Sequence, residues 1–146
     1  MTSGNMLMAK VAALGGSAAT IAHLFEVQPE EVIALLGDQV KIEAQSLPLD
    51  FLADEQVMIH GALLINLLAA ASSGGKPTAE ILVETFTAFL ELVDQNTRFA
   101  FDGVIQLVEE VMHGKLDQRR CTTCQSLILT RDGTSDCPFT LCKFAT

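Results

Sequence analysis

The chain has 146 residues and is 49% apolar, enough for one domain with a real core. Its net charge is −9, and Trp and Tyr are both absent, so aromatic platforms for stacked bases are few. The charge is uneven: residues 1–113 hold four basic and fifteen acidic side chains, and residues 114–146 hold five basic and three acidic ones. An acidic body repels phosphates and excludes broad nucleic-acid contact, whereas a basic end permits a local one.

Met6 to Leu14 reads as a short apolar helix ended by Gly15-Gly16. Met1 to Ala13 lacks the charged start, apolar run and cleavage site of a signal peptide, so an intracellular, cytoplasmic location is expected. Ser17 is a plausible N-cap for a helix over residues 18–24 with Ile21 and Leu24 inward, and Phe25-Glu26-Val27 is a turn. Gln28 to Leu36 is a second helix: Pro29 suits its first turn, Glu30 and Glu31 its positive end, and Gly37 its stop. Val32, Leu35 and Leu36 form its apolar stripe.

The spacing over residues 17–37 fits a helix-turn-helix. Ala22 would sit where the helices cross, and Val27 and Val32 would lock the second one. In a DNA reader, exposed positions of that helix meet base edges and phosphates. Here those positions are Gln28, Glu30, Glu31 and Ala34, whose acids face phosphate repulsion. The competing reading is an ordinary helical hairpin, in the core or at a subunit contact.

Asp38 to Leu49 reads as an extended connector, followed by one long helix over Asp50 to Ala71. The apolar run Val57 to Ala71, interrupted by His60 and Asn66, is shorter than the ~20 residues a membrane span needs. A buried helix and no membrane partner are expected. Ser72 to Pro77 is the clearest break, and its Gly74-Gly75-Lys76 lacks the rest of a phosphate-binding loop. Thr78 caps a helix over Glu80 to Val93 with Ile81, Phe86, Phe89 and Leu90 inward. A last helix, Arg98 to His113, has core positions Phe101, Val104, Ile105, Val108 and Met112 and ends at Gly114. His23, His60 and His113 are scattered, and no catalytic grouping stands out; a non-enzymatic role is expected.

From Asp117 the period changes. Ser126-Leu127-Ile128-Leu129-Thr130 is β-like, and Arg131-Asp132-Gly133-Thr134 is a hairpin turn. The expected unit is strand, turn, strand with a cysteine pair at each end: Cys121-x2-Cys124-x12-Cys137-x4-Cys142. Four thiolates suit one tetrahedral zinc ion, with Zn–S near ~2.3 Å. A segment this short buries too little apolar surface to fold unaided, so the metal would supply folding energy. With sulfur in all four positions no site is open to water, which makes the zinc structural. Two disulfides or spare thiols are the competing reading; a redox Cys-x-x-Cys needs a thioredoxin-like context that the preceding helix does not provide.

With helices leading through Leu107-Val108-x2-Val111-x2-Gly114-x-Leu116 into Cys121-x2-Cys124 and Ser126-Leu127-Ile128-Leu129, the chain resembles the FlhC family, the C subunit of the FlhDC flagellar master transcription activator. The Leu14-Gly15 start, the Leu35-Leu36-Gly37 helix end, the Leu47-Pro48 connector and the long helix follow in similar order. The resemblance implies a mainly α fold: a helical body over residues 1–116 with a helix-turn-helix-like N-terminal part, and a small C-terminal zinc ribbon over residues 117–146. It implies one structural Zn2+ on Cys121, Cys124, Cys137 and Cys142. The implied partners are a FlhD-like small helical protein, promoter DNA and RNA polymerase; related C-type subunits also control conjugative transfer. Lys115, Arg119, Arg120, Arg131 and Lys143 are the candidates for phosphate contact, fixing position more than sequence. The chain departs from the family in its wider second cysteine gap, its acidic second helix and the absence of a basic tail before Thr146. These differences suit either a subunit whose partner supplies phosphate contacts or a module that binds only the partner.

Overall fold

The computed structural model describes residues 3–44, 47, 54–72 and 77–130. Helices α1 (Ser3–Ala13), α2 (Ala18–Phe25) and α3 (Pro29–Leu36) are followed by a 3-10 turn over Gly37–Gln39. Helices α4 (Glu55–Ser72), α5 (Ala79–Leu92) and α6 (Phe101–Met112) then lead to strands β1 (Asp117–Arg120) and β2 (Leu127–Thr130). The two strands pair antiparallel, with Asp117 opposite Thr130 and Arg120 opposite Leu127. The fold is thus mainly α with a small two-stranded sheet after the last helix.

Local chemistry sets the helix ends. The Ser17 hydroxyl accepts the Thr20 N–H at the start of α2, and the Thr78 hydroxyl accepts the Ile81 N–H at the start of α5. Pro29 opens α3, where no intrahelical donor is lost. Past α6, Gly114 takes φ +74°, and the N–H groups of Lys115 and Leu116 turn back to the Glu110 carbonyl.

Phenylalanine fills the interior that Trp and Tyr leave to it. The Phe86 ring stacks on Phe89 at 5.9 Å and meets Phe101 edge-on at 5.9 Å, and Phe89 meets Phe99 edge-on at 6.3 Å. Leu64, Ile65 and Leu68 of α4 and Leu107 of α6 complete this core, and Leu116 and Leu129 join it from the hairpin side. Helix α4 is central: it packs against α5, α6 and β2. It is long and apolar enough to cross a membrane by length and composition alone, and it buries Val57, Gly61, Ala62, Leu64, Ile65 and Leu68.

Several sequence expectations shift. Leu35 is 44% exposed, because on a two-turn helix only Pro29, Val32 and Leu36 fall on the inner arc. Met112, the last residue of α6, is 51% exposed, and Leu107 is fully buried. Leu24, Ile81, Leu90 and Val108 are half-buried, with Leu82 and Val83 deeper in α5. The connector begins as the 3-10 turn rather than extended chain, and the long helix runs from Glu55; residues 48–53 lie outside the described residues.

Candidate metal centre and basic hairpin

The six residues Cys121 to Ser126 form the turn between β1 and β2. The Cys121 N–H donates to the Ser126 carbonyl at 2.8 Å, and the Gln125 N–H to the Cys121 carbonyl at 2.9 Å. Gln125 accepts a left-handed φ of +65°, which reverses the chain. The Arg120 guanidinium donates to the Gln125 carbonyl at 2.8 Å and braces the turn from outside. Inside it, the Thr123 N–H donates to Cys121 Sγ at 3.4 Å. An amide donor aimed at sulfur favours the thiolate, the form that ligates metals. Cys121 is buried and Cys124 half-buried.

The structure adds a strand ahead of the expected hairpin. The first cysteine pair sits at the tip of β1–β2 because Asp117–Arg120 is itself a strand. The expected turn Arg131-Asp132-Gly133-Thr134, the second pair Cys137 and Cys142, and the basic residues Arg131 and Lys143 lie outside the described residues. Cys121 and Cys124 present two sulfurs from one turn, which fits half of a tetrahedral thiolate set. Among the described residues no group of three or more His, Cys, Asp or Glu is placed to hold a metal.

The hairpin is seated on α4. Asn66 Nδ2 donates to the Leu127 carbonyl at 2.9 Å, and the Leu127 N–H donates to Asn66 Oδ1 at 2.9 Å. Gly61, nearer the start of α4, leaves room for Leu129: a Cβ there would stand 3.3 Å from Leu129 Cδ1. Ile128 and Leu129, adjacent and so on opposite faces of β2, are both 1% exposed.

Lys115, Arg119 and Arg120 are all exposed. Strand alternation sends Arg119 and Arg120 to opposite faces of β1, so they do not form one flat cationic strip. In the N-terminal part, Ala22 and Val32 are buried, and Gln28, Glu30, Glu31 and Ala34 are exposed. The Glu26 backbone takes φ +56° at the end of α2. His23 Nε2 lies 2.7 Å from Glu109 Oε1, linking α2 to α6 at the surface. His60 is a packed residue: Nδ1 hydrogen-bonds Thr97 Oγ1 at 2.9 Å, its ring meets Phe89 edge-on at 5.4 Å, and burial pushes its pKa below the ordinary 6.5. His113 caps the end of α6.

Sequence reasoning passed over three residues that organise this architecture. Asn66 registers only as a break in an apolar run. Asp102 looks like another helix-surface acid, yet it is 5% exposed and accepts the Ser17 N–H at 2.9 Å. Gln106 accepts the Leu47 N–H at 2.7 Å and donates to the Leu47 carbonyl at 3.4 Å. A polar side chain among apolar neighbours is the one signal that could have found Asn66.

No family model matches the chain, and no curated protein matches it.

Proposed function

We propose that the chain is a zinc-containing, non-catalytic subunit of a transcription activator that binds promoter DNA together with a FlhD-like small helical partner, in the cytoplasm. The observation that carries this reading is the Cys121–Ser126 turn, which presents two sulfurs with an amide donor on one of them. Cys121 and Cys124, with Cys137 and Cys142, would hold one structural Zn2+. Bound there, the ion would cross-link the two cysteine pairs and leave no coordination position open to water. Lys115, Arg119, Arg120, Arg131 and Lys143 would contact phosphates, and RNA polymerase is the further partner an activator engages. The acidic body leaves the bulk of phosphate contact to the partner.

The exposed side of α3 supports a second reading, a partner-binding module that does not touch DNA. Glu30 and Glu31 stand on it, flanked by Ile33 at 37% and Leu35 at 44% exposure. Acids with apolar neighbours suit a protein surface better than a phosphate backbone.

Fluorescence anisotropy of promoter DNA from the protein's own locus, titrated with and without the partner over a salt series, separates the two. Partner-dependent binding that weakens steeply with salt, and weakens again in Arg119→Ala/Arg120→Ala, supports the activator. A stable protein complex with no DNA binding retires it in favour of the module.

A further inference from the structure

We propose that Asn66 is a positioning residue for the cysteine turn, coupling metal loading there to helix α4; this rests on the zinc reading above. The Asn66 amide pairs with Leu127 at two points, 2.9 Å each, as an added strand would. The second Nδ2 proton goes to the Ala62 carbonyl one turn back, at 2.8 Å, so every hydrogen of the amide is committed and its orientation is fixed. Leu127 follows Ser126, whose carbonyl closes the turn onto the Cys121 N–H, and it lies opposite Arg120 in the ladder. The clamp therefore grips the residue at which the cysteine turn ends. Gly61 adds the second support, by admitting Leu129 against the same helix.

The turn and the clamp share one short stretch of backbone. A metal that holds residues 121–126 closed also holds Leu127 where Asn66 reaches it. By reciprocity, docking on α4 raises the affinity of the turn for metal by the same factor. The helical body thereby senses whether the cysteines are loaded, through α4.

The test uses the full chain with Co(II) as a spectroscopic probe of thiolate ligation, Zn(II) competition for affinity, and hydrogen exchange along α4 with and without Zn(II). Asn66→Ala is expected to weaken Zn(II) binding by about tenfold or more, the range in which supporting partners act. Zinc-dependent protection of α4 amides, present in the wild type, is expected to vanish in the variant. Asn66→Asp keeps the acceptor for the Leu127 N–H but turns a carboxylate oxygen on the Leu127 and Ala62 carbonyls, so it is expected to weaken Zn(II) binding at least as much as Asn66→Ala. Thr78→Ala, which removes only the α5 cap, lowers stability while leaving Zn(II) affinity unchanged, so a merely destabilised body does not imitate the effect. If Asn66→Ala does not fold, Asn66→Asp and Gly61→Ala carry the comparison. Asn66 variants that bind Zn(II) within about twofold of wild type, well short of the supporting-partner range, overturn the coupling and leave the zinc reading standing. A wild-type chain without cobalt–thiolate bands overturns both.

Discussion

Replacing Asp102 by Ala removes a carboxylate on which two helix N-termini converge. Asp102 lies in the first turn of α6, where an anion is favoured, and it accepts the N–H of Ser17, the N-cap of α2. Asp102 is 5% exposed and Ser17 is fully buried, so water does not substitute for the lost acceptor. A hydrogen bond to a charged group contributes roughly 1.5–3 kcal/mol, and a buried donor left unsatisfied costs roughly 1–3 kcal/mol. These overlap, and about 3 kcal/mol is expected for Asp102→Ala. Asp102→Asn keeps an oxygen for Ser17 and trades a charged acceptor for a neutral one, at about 1 kcal/mol. Ser17→Ala removes the hydroxyl's two bonds to Thr20, one accepted from its N–H and one donated to its Oγ1, again about 1 kcal/mol. Urea unfolding of the four proteins orders them directly, and the Ala variant should melt about 6–12 °C lower for a chain of this size. An Asp102→Ala protein within about 0.5 kcal/mol of wild type refutes the argument, since surface changes alone reach that range. Asn and Ala variants of equal cost would show that the charge matters and the acceptor does not.

Three further outcomes are expected. Burial lowers the His60 pKa, so the unfolded chain takes up the proton first. The neutral form's contribution is complete above the ordinary 6.5 and is lost as pH falls below it, which urea midpoints at roughly pH 7.5 and roughly pH 5 will show as a difference that shrinks in His60→Gln. In Gly16→Ala the new Cβ would stand 2.5 Å from Val11 Cγ1 and 3.0 Å from the Val11 carbonyl oxygen, and a loss of about 1–3 kcal/mol in chemical denaturation is expected. Chelation of the zinc-loaded protein should raise hydrogen exchange across residues 117–130 and along α4 while far-UV circular dichroism keeps its helical signal, because Phe86, Phe89 and Phe101 pack on one another within the helical body; collapse of the helical signal on chelation would contradict that expectation.

The sequence is most legible where a residue acts on its own neighbours. Ser17 and Thr78 cap the helices that follow them, and Gly114 ends α6, because each needs only a backbone group a few residues away. The paired short helices α2 and α3 follow from the same local signals. Their faces are less legible: over eight residues Leu35 and Leu36 both satisfy a helical stripe, and only the packed structure shows that Leu36 turns inward and Leu35 outward. At the candidate site, the spacing of Cys121 and Cys124 already points to a two-sulfur turn. The strand before it is not legible, since the sequence Asp117-Gln-Arg-Arg is wholly polar and exposed and carries no alternation to read.

What stays hidden has a common physical form. Asn66 meets Leu127 across 61 positions, Gln106 meets Leu47 across 59, and Asp102 meets Ser17 across 85. In each case a helix side chain satisfies the backbone of a segment that arrives from elsewhere, and in the first two a carboxamide takes both the N–H and the carbonyl of one residue. Periodicity shows which face of a helix is apolar but not which backbone will lie against it. Yet a helical core that accepts non-helical segments must offer their peptide groups partners, since buried N–H and carbonyl groups are costly alone. The lone Asn in an apolar helix is therefore better read as a socket for incoming backbone than as a flaw in the core, and the segment it receives here is the one that carries the cysteines.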